Sequence, residues 1–360
     1  MNNKKKALAV FSVVLVVAII VVNSEPHVMS LDTNQNHRTH LQSDSLASDS
    51  PKIQSKQEKL MEDAIANQLK QATEAYKFNA QFPPYSKPLY KENWDLLNPR
   101  AFIPRKQSIS NSPDISGSLV LDKYIIAKED PLEVKVKIST AEENLSSIQS
   151  IIANIEDSDI SQSLTQTSFE NGVATYSGQV SISDLGQESV NEGSITADIQ
   201  LQNGDIKTLS ARFKYHTTVA TVQNVGDAYV DGSDLNIPVD INVTERGKYR
   251  VQANLFDENN DSPVAHLTDA YEADKGINSV NLKAHINALK VSGSAGPYYL
   301  SNITISKVST HPGEKQEYGV ALNEQFPIKG FDLSIYDKDN YRNPKYKDSI
   351  QFLERVSGAQ

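Results

Sequence analysis

From Gly117 onward the hydrophobic period of the chain is two, and that alternation restricts the sequence to half-buried strands. Leu132, Val134, Val136 and Ile138 alternate with Glu133, Lys135 and Lys137, giving one apolar face and one wet one. Comparable runs recur at 119–121, 148–155, 173–182, 195–201 and 206–215, and a second series follows at 219–225, 235–243, 249–256, 264–271, 277–286 and 298–308. Asn171-Gly172 and Asn203-Gly204 fall between runs and supply the positive φ that tight hairpins need. Short strands punctuated in this way build antiparallel sandwiches of about 100 residues each. The expected fold is mainly β, with tandem sandwiches at 117–220 and 221–335 joined near Thr217 to Gly226, and a tail at 336–360. In that tail Ile350, Phe352, Leu353 and Val356 predict a short helical end. A length of 360 residues is consistent with two domains of this size.

The other end of the chain carries an address. Lys4, Lys5 and Lys6 precede an apolar run of 16 residues, Ala7 to Val22, interrupted only by the small Ser12. A full span needs about 20, so the run stands between a signal-peptide core and a short anchor. Basic residues on its amino side hold that end in the cytoplasm and send the rest across. The expectation is an uncleaved anchor within 1–24, with cleavage after Ser24 as the alternative. The bulk of the chain is then periplasmic on an inner-membrane tether, or secreted or surface-exposed if the segment is removed.

Residues 25–55 are polar and cannot support a core, which predicts a disordered spacer. His37 and His40 lie within it without further metal-binding residues and read as solvated. From 56 to 78, Leu60, Ala64, Ile65, Leu69, Ala72 and Tyr76 recur at helical spacing, with Ser55 and Glu58 as a capping box and Pro83-Pro84 as a stop. One amphipathic helix is expected there. The following segment, 79–116, is rich in proline and aromatics, so it forms neither a regular helix nor a central strand. Phe82, Tyr85, Tyr90, Trp94 and Phe102 are costly to leave in water, and the segment is expected to pack on the first sandwich. Phe82, Tyr85, Tyr90 and Trp94, with Tyr298 and Tyr299 farther on, are also the candidate partner-binding residues.

Composition removes several kinds of chemistry. The absence of cysteine excludes thiolate metal sites, iron–sulfur clusters, cysteine nucleophiles and disulfides. With 35 Lys+Arg against 45 Asp+Glu and no basic stripe, a nucleic-acid groove is not expected. No Gly-x-Ser-x-Gly elbow or phosphate-cradling glycine loop occurs, and His216, His266, His285 and His311 are scattered singly. No catalytic residue, cofactor or small-molecule substrate is assigned. Asp257, Asn259 and Asp261 alternate like the opening of an EF-hand loop, but Ser262 stands where the turn needs Gly and Thr268 where it needs Glu. A polar hairpin turn is the reading adopted, with these three kept as a weak metal candidate. Asn144, Asn242 and Asn302 begin glycosylation sequons by pattern.

Arg246-Gly-Lys-Tyr-Arg-Val-Gln-Ala-Asn-Leu-Phe-Asp257, followed by Gly296-Pro-Tyr-Tyr-Leu-Ser-Asn-Ile303, resembles the strand pair of bacterial envelope β-sandwich proteins of the choice-of-anchor X kind. The resemblance covers about residues 222–340. It implies an immunoglobulin-like fold and a surface or periplasmic location, and it supplies no catalytic residues. The resulting expectation is a non-enzymatic, membrane-tethered extracytoplasmic module that binds or scaffolds an envelope protein. The alternatives are an adhesin or carbohydrate binder, using an aromatic platform such as Tyr298-Tyr299 or Trp94, and a hydrolase with a site assembled from distant carboxylates.

Overall fold

The computed structural model describes residues 51–109, 115–141, 145–186, 190–321, 325–338 and 341–357. The apolar run at 7–22, its cleavage position and most of the spacer lie outside them. Among the described residues no helix is long and apolar enough to cross a membrane. The chain divides into two compact units, Met1–Leu60 and Met61–Gln360, and all of the described strands belong to the second.

Among the described residues, helix α1 (Pro51–Asn79) comes first. It is already formed at Pro51, so Ser55 lies inside it and not at the start of a helix over 56–78. Beyond α1 lies a strap, residues 80–109, which holds the three-residue strand β1 (Ser86–Pro88), the single-turn helix α2 (Trp94–Leu97) and β2 (Gln107–Ser108).

The first β region continues with β3 (Ser116–Leu121), β4 (Ile125–Ala127), β5 (Leu132–Ser139), β6 (Ile148–Ile155), β7 (Ser161–Ser163), β8 (Thr165–Glu170), β9 (Val173–Val180), β10 (Val190–Leu201) and β11 (Ile206–His216). They form two five-stranded sheets, ordered β4-β11-β10-β6-β7 and β2-β3-β5-β9-β8. The alternation in β5 places Leu132, Val134, Val136 and Ile138 inside, where they share one core with Ile151, Ile195, Ile199 and Phe213 of the other sheet. Asn171 and Gly172 adopt φ of 52° and 73° in the β8–β9 turn, a geometry that glycine and asparagine tolerate.

The second β region holds β12 (Ala220–Val225), β13 (Tyr229–Asp231), β14 (Asp234–Val243), β15 (Gly247–Asp257), β16 (Ser262–Ala273), β17 (Gly276–His285), β18 (Tyr298–Lys307), β19 (Glu317–Ala321) and β20 (Gln325–Ile328). Its strands make one curled sheet along the path β1-β16-β15-β18-β19-β12-β14-β13, with β17 on β14 and β20 on β18. Leu235, Ile237, Val239 and Ile241 of β14 and Tyr249, Val251, Ala253 and Leu255 of β15 are buried in a single core. Two pairings depart from the antiparallel expectation: β4 runs parallel to β11, and β12 parallel to β19.

A seven-residue helix, α3 (Ile286–Ser292), stands where the sequence predicted only strand and loop. The His285 ring accepts the Asn287 N–H at its start, and Gly293 closes it at φ 70°. The tail ends in α4 (Lys347–Ser357), which covers the four residues expected to be helical there. Tyr346, just ahead of α4, meets Tyr76 of α1 edge-on at 5.8 Å; Glu354 of α4 pairs with Lys77 at 3.0 Å.

Candidate functional site

The strap packs first on the second β region and only then on the first, which corrects the expectation that it packs on the first sandwich. Phe82, 3% exposed, belongs to the core of the second region. Strand β1 extends the sheet edge by pairing Ser86 with Leu267 and Pro88 with Ala265, a position in which proline's missing N–H costs nothing. Tyr85 donates its hydroxyl to the Asp234 carboxylate at 3.0 Å, and Ser86 Oγ accepts the His285 N–H at 2.9 Å. Phe102 alone among the five aromatics packs against the first core.

Two asparagines fix the middle of the strap. A helix end leaves carbonyls without partners, and α2 meets this with side-chain amides: Asn254 Nδ2 donates to Leu96 O at 2.7 Å and Asn302 Nδ2 to Leu97 O at 2.8 Å. A bulge between β15 and β18 leaves Asn302 at φ 53°. Asn254 also meets His266 Nδ1 at 2.7 Å, and burial pushes that imidazole down to about 4. Sequence reading took Asn302 as a sequon; the structure gives its amide a structural partner.

Beyond α2 the strap crosses between the two β regions at Arg100. This residue has φ 88°, uncommon for a side chain with a Cβ. Its carbonyl accepts the Tyr124 N–H at 2.6 Å, its Nη2 donates to Gly319 O at 2.8 Å, and its guanidinium lies 5.8 Å from the Tyr318 ring centroid. His216 packs against the other side of this junction, 5.3 Å from Tyr318, with Nδ1 3.3 Å from Thr217 O and Nε2 buried without a partner. Burial pushes His216 down to about 4, so its ring is neutral at pH 7. A cleft of about 460 Å³ opens here, lined by Arg100, Asp122, Lys123, Asp130 and Asn302 among others. Nothing in the sequence pattern marks Arg100 or His216, because neither belongs to a motif and backbone strain leaves no compositional trace.

The metal candidate is occupied by protein donors. Asp257 accepts from Asn259 N at 2.8 Å and from Ser294 Oγ, and Tyr299 donates its hydroxyl to Asp261. Burial alone would raise the Asp257 carboxyl, but the Ser294 and Asn259 donors outweigh it and hold it below the usual carboxylate value. Among the described residues, no three His, Asp or Glu side chains stand close enough to hold a metal ion.

The aromatic candidates separate cleanly. Tyr298 is wholly buried with its hydroxyl on Ser294 O, Tyr299 lies flat on Phe256 with ring centroids 5.0 Å apart, and Phe82 is in the core. Tyr90 and Trp94 remain 40% and 51% exposed. The structure therefore leaves two of the six in water, both on the strap.

No family model matches the chain, and no curated protein matches it. Among solved structures, a DUF4785 family protein from Legionella pneumophila is 18% identical, with 55% of this chain and 54% of that chain covered and a TM-score of 0.38. Dimeric latent PorU from Porphyromonas gingivalis is 12% identical over 64% of this chain and 20% of that one, at a TM-score of 0.21. The native conformation of Escherichia coli alpha-2-macroglobulin is 11% identical over 61% and 15%, at 0.28. The chain thus spans about half the length of the first of these and a fifth or less of the other two.

Proposed function

We propose that this chain is a membrane-tethered, extracytoplasmic protein-binding module of a bacterial envelope, with two tandem immunoglobulin-like sandwiches and no enzymatic activity of its own. The observation that carries the reading is the strap, which is pinned at Asn254, Asn302 and Gly319 yet leaves Tyr90, Trp94 and Ile103 exposed at 40%, 51% and 69%. Large apolar side chains held out on an ordered support are what interfaces use as anchors, because little entropy is lost when a partner covers them. The Lys4–Lys6 cluster and the apolar run at 7–22 supply the tether and its direction.

Two measurements test this. Protease added to spheroplasts is expected to digest the chain beyond about residue 25, and protection of the β regions would overturn the orientation. A photo-crosslinking amino acid in place of Trp94 or Tyr90, in the native host, is expected to give one discrete protein adduct that is absent when the same group replaces Ile277, exposed on β17. Equal labelling at all three positions would sink the protein-binding reading. Retention on a glycan surface that is lost in Trp94→Ala would replace it with the carbohydrate one.

A further inference from the structure

The first β region carries a groove that the exposed aromatics do not account for. It has a volume of about 1070 Å³ and runs between the strap at 101–107 and the outer face of β10 and β11. Arg105 and Lys106 line one wall and Arg212 the other, with Glu156 the sole carboxylate in the lining. None of the three cations has an ion-pair or side-chain hydrogen-bond partner among the described residues. Their charges are therefore not neutralised by a neighbouring side chain. Three cations around one concavity repel one another, and a low-dielectric wall concentrates their field on whatever enters.

Two further features narrow the occupant. Ile103, on the strap wall, is 69% exposed, so the groove offers an apolar contact beside its charges. The strap between 102 and 106 has no regular secondary structure, and the main-chain N–H groups of Ile103, Arg105 and Lys106 hydrogen-bond to nothing among the described residues. An extended peptide can use such groups as well as the side chains, whereas a polyanionic glycan or polyphosphate uses the charge alone. A bilayer surface is flat and reaches rims, not the floor of a concavity. We propose that this groove is a docking site for an extended acidic peptide of a partner protein, its carboxylates on Arg105, Lys106 and Arg212 and an apolar side chain on Ile103. The proposal rests on the protein-binding reading above and assigns that partner's chemistry.

The experiment uses the full chain in detergent and a fluorescent ten-residue peptide of Asp and Glu with one central Leu, read by anisotropy. Expected results are saturable binding that weakens steeply with salt, at least tenfold weaker binding to the Arg105→Gln, Lys106→Gln, Arg212→Gln triple variant, and several-fold weaker binding to Ile103→Ser. The Ile103→Ser loss should vanish when the peptide's Leu is replaced by Ser. The triple variant should melt no lower than the parent, since it relieves repulsion. Equal binding of the peptide by parent and triple variant, or no binding by either, overturns the proposal. So does tighter binding of polyphosphate, or of vesicles with 30% phosphatidylglycerol, than of the peptide. A position-specific adduct at Trp94 that persists in the triple variant would leave the protein-binding reading standing while the groove assignment fails.

Discussion

Arg100 Nη2 donates to the Gly319 carbonyl at 2.8 Å, a bond between residues 219 positions apart that fastens the strap where it leaves the second β region for the first. Gly319 is itself confined: a Cβ there would stand 2.5 Å from Ala220 O, so only glycine lets β19 lie this close to β12. Gly319→Ala is therefore expected to cost about 1–3 kcal/mol through strand displacement. Arg100→Ala should cost about 1.5–3 kcal/mol for a charged donor lost. Arg100→Gly should cost less, because glycine takes φ 88° without strain. Urea unfolding midpoints rank the three; parental midpoints for both Arg100 variants would remove the bond from the stability of the junction.

Acid should weaken the fold as the pH falls below about 6.5, through two buried histidines. His216 and His266 are pushed down to about 4 by burial, from the ordinary 6.5. For His216, Arg100 adds to the lowering while Glu129 and Asp130 oppose it; for His266, Lys87 adds and Asp95 opposes. The unfolded chain then binds more protons than the native one between these two values, so stability is full above about pH 6.5 and falls as pH drops toward 4. For the fully buried His216 the difference corresponds to about 3 kcal/mol at ~1.4 kcal/mol per tenfold. His216→Phe should flatten roughly half of that fall in the unfolding midpoint. A parental midpoint that is constant from pH 7 to 4.5 would show that neither ring is held neutral.

At the β15–β16 turn, calcium is expected to do nothing. Both Asp257 oxygens already accept from the protein, so millimolar calcium should leave the melting temperature unchanged. Asp257→Ala should cost about 1–3 kcal/mol and lower the melting temperature equally with or without calcium, because the Ser294 hydroxyl and Asn259 N–H lose their acceptor. A calcium-dependent rise that Asp257→Ala abolishes would restore the metal reading.

How much of this was legible follows from what each feature writes into the sequence. A strand with one wet face writes alternation, so β5 and β14 were readable to within a few residues. Helix α3 is seven residues long, too short for a period to emerge, and its cap is a histidine. The aromatics of the strap announced that something must cover them, but burial cost is blind to which surface does the covering. Phe82 consequently went to the second core against expectation. Tyr298 and Tyr299, adjacent in a strand, had to face opposite ways; sequence could say that one is buried but not that the other would be spent on Phe256 and Asp261.

The strap's two roles are separable by single substitutions. Phe82 is 3% exposed within the second core, so Phe82→Ala removes a buried ring and should cost about 3–5 kcal/mol. Trp94 is 51% exposed, and its neighbours are fixed through main-chain carbonyls that alanine retains, so Trp94→Ala should stay within about 1 kcal/mol of the parent. A protein beginning at Ile115 loses Phe82, Leu89 and the β1 edge together, which opens the second core to solvent and leaves the β16 edge bare. It should melt lower than one beginning at Ser55 and associate through the exposed edge, as read by calorimetry and light scattering. If it instead melts at the same temperature and stays monomeric, the strap does not hold the second core closed, and the burial of Phe82 contributes nothing that the rest of that core does not already supply.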